Sequence, residues 1–106
     1  MLDKAYICFH VKAQINRSTN GFCVDEGRRI PLAEGKTFYK IPPGAHTVTI
    51  TSGRGNQWTI ERTVDRKELL TVKMEAWEEN ISDVLYKIDR APVVTRLQAK
   101  KLPRSR

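Results

Sequence analysis

The side chains best suited to catalysis or metal binding in this chain are two cysteines and two histidines. Cys8 and His10 lie two residues apart, whereas Cys23 and His46 are distant in the sequence. The Cys-x2-Cys and His-x3-His spacings typical of zinc sites are absent. A thiol nucleophile needs a base that a third group orients, and no such group is indicated. We therefore predict no catalytic residue, no metal and no cofactor, and two free thiols.

A short glycine-rich stretch, Ser52-Gly53-Arg54-Gly55-Asn56, is the one segment that suggests phosphate binding. It lacks the third glycine of a dinucleotide-binding loop and the lysine of a P-loop, and no helical pattern follows it. The stretch therefore predicts a tight loop between two strands.

The positive charge of the chain is concentrated at its C-terminal end. Residues 1–89 contain 13 basic and 12 acidic residues, whereas residues 90–106 contain six basic residues and no acidic one. Such a tail can bind nucleic acid or an anionic membrane, or it can be a solvated terminus. The nearly neutral body argues against a nucleic-acid surface outside the tail. The basic residues of the tail are Arg90, Arg96, Lys100, Lys101, Arg104 and Arg106.

Short runs of alternating apolar residues, separated by turn signals about every 8–12 residues, are typical of an all-β sandwich or barrel. Within Ala5–Ala13, for example, Ile7, Phe9 and Val11 share one strand face. We predict an antiparallel β-sandwich of the immunoglobulin-like type, with about seven short strands. The predicted domain covers residues 1–89, and the basic tail covers residues 90–106.

The stretch from Tyr39 to Thr51 is expected to form a strand, a tight turn and a second strand. Pro42-Pro43-Gly44 supplies the fixed φ of proline and a glycine that tolerates a positive φ, which favours a hairpin. His46 shares its strand face with Val48 and Ile50, so we expect it to point inward.

The last part of the chain allows two interpretations. Residues 77–89 fit either a helix or a strand, and we favour a strand at Asp83–Asp89 after a turn at Glu79-Asn80. Pro92 and Pro103 bracket Val93–Leu102, which could form a short basic helix with Pro92 in its first turn.

Three motifs of this chain form a recognisable pattern: Val24-Asp25-Glu26-Gly27, Glu34-Gly35-Lys36 and the segment Ile41–Ile50. Over residues 5–76 the chain resembles PEGA-type and related small β-sandwich domains. It departs from them at Pro43-Gly44-Ala45, which lacks the glutamate that names the family. The resemblance implies a non-enzymatic accessory or adhesion-like module.

These observations favour a non-catalytic module that binds a protein partner. The predicted surface is a strand edge near Pro31 or Tyr39, or the aromatic side chains of Tyr6, Tyr39 and Trp77, which are expected to project from their strands. The first alternative is that the basic tail tethers the domain to nucleic acid or an anionic membrane. The second is carbohydrate binding by the aromatic residues. No small-molecule substrate is inferred. Because no signal peptide or membrane span is indicated, we expect a cytoplasmic protein or a fragment of a larger one.

Overall fold

In the part of the chain that the structure describes, ten β-strands form two five-stranded sheets. The computed structural model describes residues 4–88 and 94–102, and no helix occurs in these two ranges. Among the described residues there is accordingly no helix long and apolar enough to cross a membrane. The strands are β1 (Ala5–Val11), β2 (Gly21–Val24), β3 (Ile30–Pro31), β4 (Gly35–Ile41), β5 (Gly44–Thr51), β6 (Asn56–Val64), β7 (Leu69–Trp77), β8 (Asn80–Ile88), β9 (Thr95–Arg96) and β10 (Lys100–Lys101).

The strand order is β4-β1-β7-β8-β9 in one sheet, here sheet A, and β10-β6-β5-β2-β3 in the other, sheet B. All neighbours are antiparallel except β1 and β7, which run parallel with Tyr6 beside Leu69 and Val11 beside Met74. The predicted antiparallel arrangement is therefore wrong at this pair. The chain changes from sheet B to sheet A between β6 and β7, so no hairpin sets the direction of β7 relative to β1.

The alternating apolar residues of the longer strands meet in one core between the two sheets, which gives a β-sandwich-like fold. The predicted all-β class is confirmed, and seven of the strands contain four residues or more. The ring of Phe9 in sheet A stacks on that of Phe22 in sheet B, with 4.0 Å between the ring centroids. Trp58 of β6 is the largest fully buried side chain of the described residues. Burying such side chains stabilises the fold by roughly 1.5–3 kcal/mol each.

The segment Pro42-Pro43-Gly44 does not close a hairpin, contrary to the prediction. β4 pairs with β1 in sheet A, whereas β5 pairs with β2 and β6 in sheet B. The turn is thus a corner between the two sheets. Gly44 has a φ of 135°, a backbone conformation that favours glycine. The predicted positive φ at this glycine is therefore confirmed. Pro42 and Pro43 lack an N–H, which suits a segment that leaves one sheet before it joins the other.

Asn80–Ile88 is a strand rather than a helix, as favoured, but it starts before the predicted Asp83, and Asp89 lies outside the described residues. Glu78 and Glu79 both have a positive φ, at 52° and 64°, and form a tight hairpin turn between β7 and β8. The possible basic helix at Val93–Leu102 is wrong for the described residues 94–102. Thr95–Arg96 pairs with β8 and Lys100–Lys101 pairs with β6. Backbone pairing at these two sheet edges stabilises the strands, whereas a short isolated helix would be only marginally stable.

Asn20 joins three loops at one end of the molecule. It is fully buried, and its Nδ2 donates to the carbonyl oxygens of Asn16 at 2.8 Å and Glu79 at 3.1 Å. Its Oδ1 accepts from the backbone N–H of Ile81 at 3.0 Å and of Gly53 at 3.3 Å. Donors and acceptors are matched on both sides of the amide, so this one side chain fixes the loops relative to one another.

Candidate functional site

The residues considered for catalysis do not assemble into a catalytic group. Cys8 and His10 lie on the outer face of β1, whereas His46 points toward the core from β5 in the other sheet. Burial raises the pKa of the Cys8 thiol, although the positive charge of Lys36 opposes this shift. A raised pKa disfavours the nucleophilic thiolate. Both thiols are free, and the described residues contain no group of three or more His, Cys, Asp or Glu side chains that could hold a metal ion.

Trp77 and Tyr6 lie on the same outer face but at opposite ends of sheet A. Trp77 ends β7 and is 67% exposed, in agreement with the sequence pattern. Tyr6 is half-buried and lies beside Leu69 at the start of β7. Eight residues separate Leu69 from Trp77 along the strand, a distance of roughly 26 Å. The two rings therefore cannot contact one small ligand, such as a single sugar.

Tyr39 directs its ring inward rather than outward. It lies opposite Ile7, packs against the core and meets the ring of Phe22 edge-on at 5.5 Å between centroids. The outward aromatic residue of β4 is its neighbour Phe38, which is 62% exposed. Counting back in twos from the buried Ile41 would have given this orientation, because alternate residues of a strand share a face.

Two of the described basic residues of the tail form contacts with the rest of the domain. Arg96 forms an ion pair with Asp83 at 2.6 Å, and the Lys101 Nζ donates to the carbonyl oxygen of Arg54 at 2.8 Å. Lys100 lies opposite Gln57 on sheet B and is exposed. The other three predicted tail residues, Arg90, Arg104 and Arg106, lie outside the described residues.

The sequence interpretation missed a basic surface on the outer face of sheet A. Strand register places the side chains of β4, β1, β7, β8 and β9 in rows across this face, with Lys36 beside His10 and His10 beside Lys73. Lys40 lies beside Tyr6 and Phe38 lies beside Cys8. The outer face of sheet A is thus a candidate binding surface.

A second polar feature, at the corner between the sheets, is formed by His46. Its side chain is only 9% exposed and bridges Asp25 Oδ2 at 2.5 Å and the carbonyl oxygen of Pro42 at 2.6 Å. Asp25 Oδ1 also accepts the backbone N–H of Thr47 at 2.9 Å. Because a carbonyl and a carboxylate only accept hydrogen bonds, both ring nitrogens must donate, so this geometry fits the imidazolium form.

The corner shifts the pKa values of both partners. Burial lowers the pKa of His46, but the hydrogen bonds to Asp25 and Pro42 and the charge of Asp25 outweigh it, so the net pKa is raised above 6.5. The hydrogen bonds from Thr47 and then His46 lower the pKa of Asp25 below 3.8, despite some desolvation. The ion pair thus favours its charged form on both sides.

The His46 corner predicts a pH-dependent stability. A raised folded-state pKa gives stability that is complete below 6.5 and is lost as pH rises through the folded value. The lowered pKa of Asp25 gives stability that is lost only when pH falls below 3.8 and through its folded value. We expect the free energy of unfolding to fall by about 1 kcal/mol as the pH rises above 6.5 and through the folded-state pKa of His46. Urea unfolding across this range measures it.

His46→Gln should remove most of this pH dependence, whereas His10→Gln on the outer face of β1 serves as the matched control and should retain it. Equal slopes for His46→Gln and the wild type would contradict the imidazolium assignment.

No family model, curated protein or solved structure matches this chain. The fold defines its class, an all-β domain of two five-stranded sheets. The resemblance to PEGA-type domains stays a prediction.

Proposed function

We propose that this chain is a non-catalytic interaction module that binds an extended segment of a partner protein along the free edge of β4. The observation that carries the proposal is that β4 is a seven-residue strand at the end of sheet A, paired with β1 on one side only. The backbone groups on the other side of such a strand can pair with an added strand.

The free side of β4 is open to solvent. Lys36, Thr37, Phe38 and Lys40 are all exposed, although Thr37 lies on the inner face. The other edge strands of the described residues, β3, β9 and β10, contain only two residues each. β4 is therefore the edge that offers the longest backbone ladder to a partner.

The side chains of β4 favour an acidic partner segment. Lys36 and Lys40 flank Phe38 on the outer face, so a paired strand would place its own alternate side chains beside a base, an aromatic ring and a second base. Acidic residues opposite the lysines and an apolar residue opposite Phe38 would complement this row. A second copy of β4 would instead bring like charges together, which disfavours self-association.

The immunoglobulin-like and PEGA-type assignments belong to the same proposal. They are supported by the two-sheet arrangement, by the seven longer strands and by the positive φ of Gly44 in the motif Ile41–Ile50. Non-catalytic accessory function is what this resemblance implies, and fold alone does not establish it.

The proposal is tested with a library of random peptides of about eight residues, the length needed to cover β4. We expect the selected peptides to be extended, acidic at alternate positions, and at least 10-fold weaker for Lys36→Glu/Lys40→Glu than for the wild type. The matched control is Arg28→Glu/Lys100→Glu, which makes the same charge change on sheet B and in its β2–β3 turn.

Amide hydrogen exchange locates the bound peptide. A selected peptide should slow exchange at alternate residues of β4, because only alternate N–H groups point to the free edge. Protection confined to sheet B, or selected peptides that bind the charge-reversed variant as tightly as the wild type, would overturn the proposal.

A further inference from the structure

The charges of the folded body are segregated between its two outer faces. The outer face of sheet A carries six basic side chains and two acidic ones, as the register of its strands shows. The outer face of sheet B consists mainly of threonines from β5 and β6. Among the described residues its charged side chains are Glu61, Lys100 and Arg29, whose guanidinium lies over Gly21 of β2. The basic residues of sheet A are Lys12, Lys36, Lys40, Lys73, Lys87 and Arg96, and the acidic ones are Glu75 and Asp83. A body that is nearly neutral as a whole therefore has one strongly basic face.

Ion pairs within the domain involve only two of these six basic side chains. Lys12 lies 3.6 Å from Glu75, and Arg96 lies 2.6 Å from Asp83. Both acidic residues stand toward one end of the face. The remaining four lysines, Lys36, Lys40, Lys73 and Lys87, make no ion pair within residues 4–88 and 94–102. Four uncompensated charges on one sheet face attract a polyanion.

Rings lie among these lysines. Phe38 is opposite Cys8, so Tyr6 and His10 occupy the two diagonal positions beside it, at roughly 7–8 Å. Lys36 and Lys40 flank Phe38 along its own strand. Aromatic rings on a sheet surface, surrounded by basic side chains, are the arrangement on which unpaired bases stack while lysines contact the phosphates.

A shallow hollow continues this surface across β7 and β8. It has a volume of about 180 Å³ and is lined by Thr71, Lys73, Leu85 and Lys87, among others. Its lining thus combines the apolar side chain of Leu85 with two lysines. The hollow thus extends the basic and apolar pattern beyond Phe38, along the direction that crosses the strands.

We propose that the outer face of sheet A binds single-stranded nucleic acid, a function beyond the protein interaction proposed for the edge of β4. Bases stack on Phe38 and the half-buried Tyr6, and the four unpaired lysines contact phosphates. A duplex has no unstacked bases to contact these rings. Binding to an anionic vesicle needs only the positive charge of the lysines. A single strand is therefore the partner that uses both the rings and the lysines.

The contribution of the lysines is measured with the full chain and fluorescently labelled oligo(U) and oligo(dT) of about 12 nucleotides. Binding anisotropy is followed from roughly 50 to 200 mM salt. Lys36→Gln/Lys73→Gln should weaken binding and reduce the slope of log K against log salt by about 1.4, since each phosphate contact to a single strand contributes about 0.7. Arg28→Gln/Lys100→Gln removes the same charge elsewhere and should leave the slope unchanged.

The contribution of the rings is measured separately. Phe38→Ala should weaken binding about 5-fold or more and leave the salt slope unchanged, because stacking releases no counterions. Thermal unfolding verifies that the variant is folded, as expected for an exposed side chain. Thr49→Ala, on the outer face of sheet B, is the control and should bind like the wild type.

Several outcomes would overturn the proposal. They are no binding of either oligonucleotide at low salt, equal affinity for a duplex of the same length, and a loss of affinity in Arg28→Gln/Lys100→Gln but not in Lys36→Gln/Lys73→Gln. The last result would place binding on sheet B and its β2–β3 turn. Binding to phosphatidylserine vesicles that Phe38→Ala leaves unchanged, without binding to oligonucleotides, would identify a membrane surface instead. Peptide binding at β4 is measured independently, so either proposal can fail alone.

Discussion

Asn20→Asp should destabilise the protein by about 3–5 kcal/mol, because it places a buried carboxylate against two carbonyl oxygens. The Nδ2 of Asn20 donates to the carbonyl oxygens of Asn16 and Glu79. An ionised carboxyl group has no proton to donate, so both carbonyls would lose their donor and face a negative charge. Urea unfolding near neutral pH measures the loss.

Two comparisons make the Asn20 prediction specific. Asn56→Asp is the matched control, since the half-buried Asn56 side chain takes no part in this network, and it should cost less than about 1 kcal/mol. The difference in the free energy of unfolding between Asn20→Asp and the wild type should decrease as the pH is lowered, because a protonated carboxyl group regains a hydrogen-bond donor. A loss for Asn20→Asp no larger than for Asn56→Asp would contradict the proposed role.

The Asn20 network illustrates what the sequence does not reveal. Nothing local marks Asn20 as buried, since its partners Gly53 and Glu79 are 33 and 59 residues away. By contrast, the inward positions of Ile7, Phe9 and Val11 followed directly from alternation. Burial on one face is a local property of a strand, and the fold class could therefore be predicted from the sequence.

Strand pairing was the part that could not be predicted. Pro42-Pro43-Gly44 satisfies the backbone needs of a hairpin and of a corner between sheets equally well. The choice depends on whether β5 finds its partners in β2 and β6, which are distant in sequence. The same holds for Thr95–Arg96, whose strand conformation depends on its pairing with β8 rather than on its own propensity.

The candidate surface was hidden for a related reason. The basic side chains of this face are spread over several strands, with Lys36 and Lys40 on β4, Lys73 on β7 and Lys87 on β8. Alternation identifies those lysines as outward strand by strand, but the sheet order decides that they share one face. A net charge summed over residues 1–89 combines this face with the acidic residues of the turns, such as Glu26, Glu34 and Glu79, so the sum concealed the asymmetry.

Phe22→Ala should destabilise the protein by about 3–5 kcal/mol, because it removes the ring that joins the two sheets. Phe22 stacks on Phe9 across the core and also receives the edge of Tyr39. The backbone of β2 is held by β3 and β5, so the surrounding strands cannot collapse fully into the space. A cavity would remain between the sheets, and the free energy of unfolding in urea measures its cost.

Phe22→Leu separates packing volume from aromatic contact and should cost about 1–2 kcal/mol, since most of the cavity is refilled. Phe38→Ala removes the same kind of side chain from the outer face of sheet A, where Phe38 is exposed, and should change stability by less than about 0.5 kcal/mol. Phe38→Ala should instead reduce oligonucleotide binding, whereas Phe22→Leu should leave it intact at temperatures where the variant is folded. If both variants lost binding in proportion to their lost stability, the effect of Phe38→Ala would reflect the fold, and stacking on the outer face of sheet A would be contradicted.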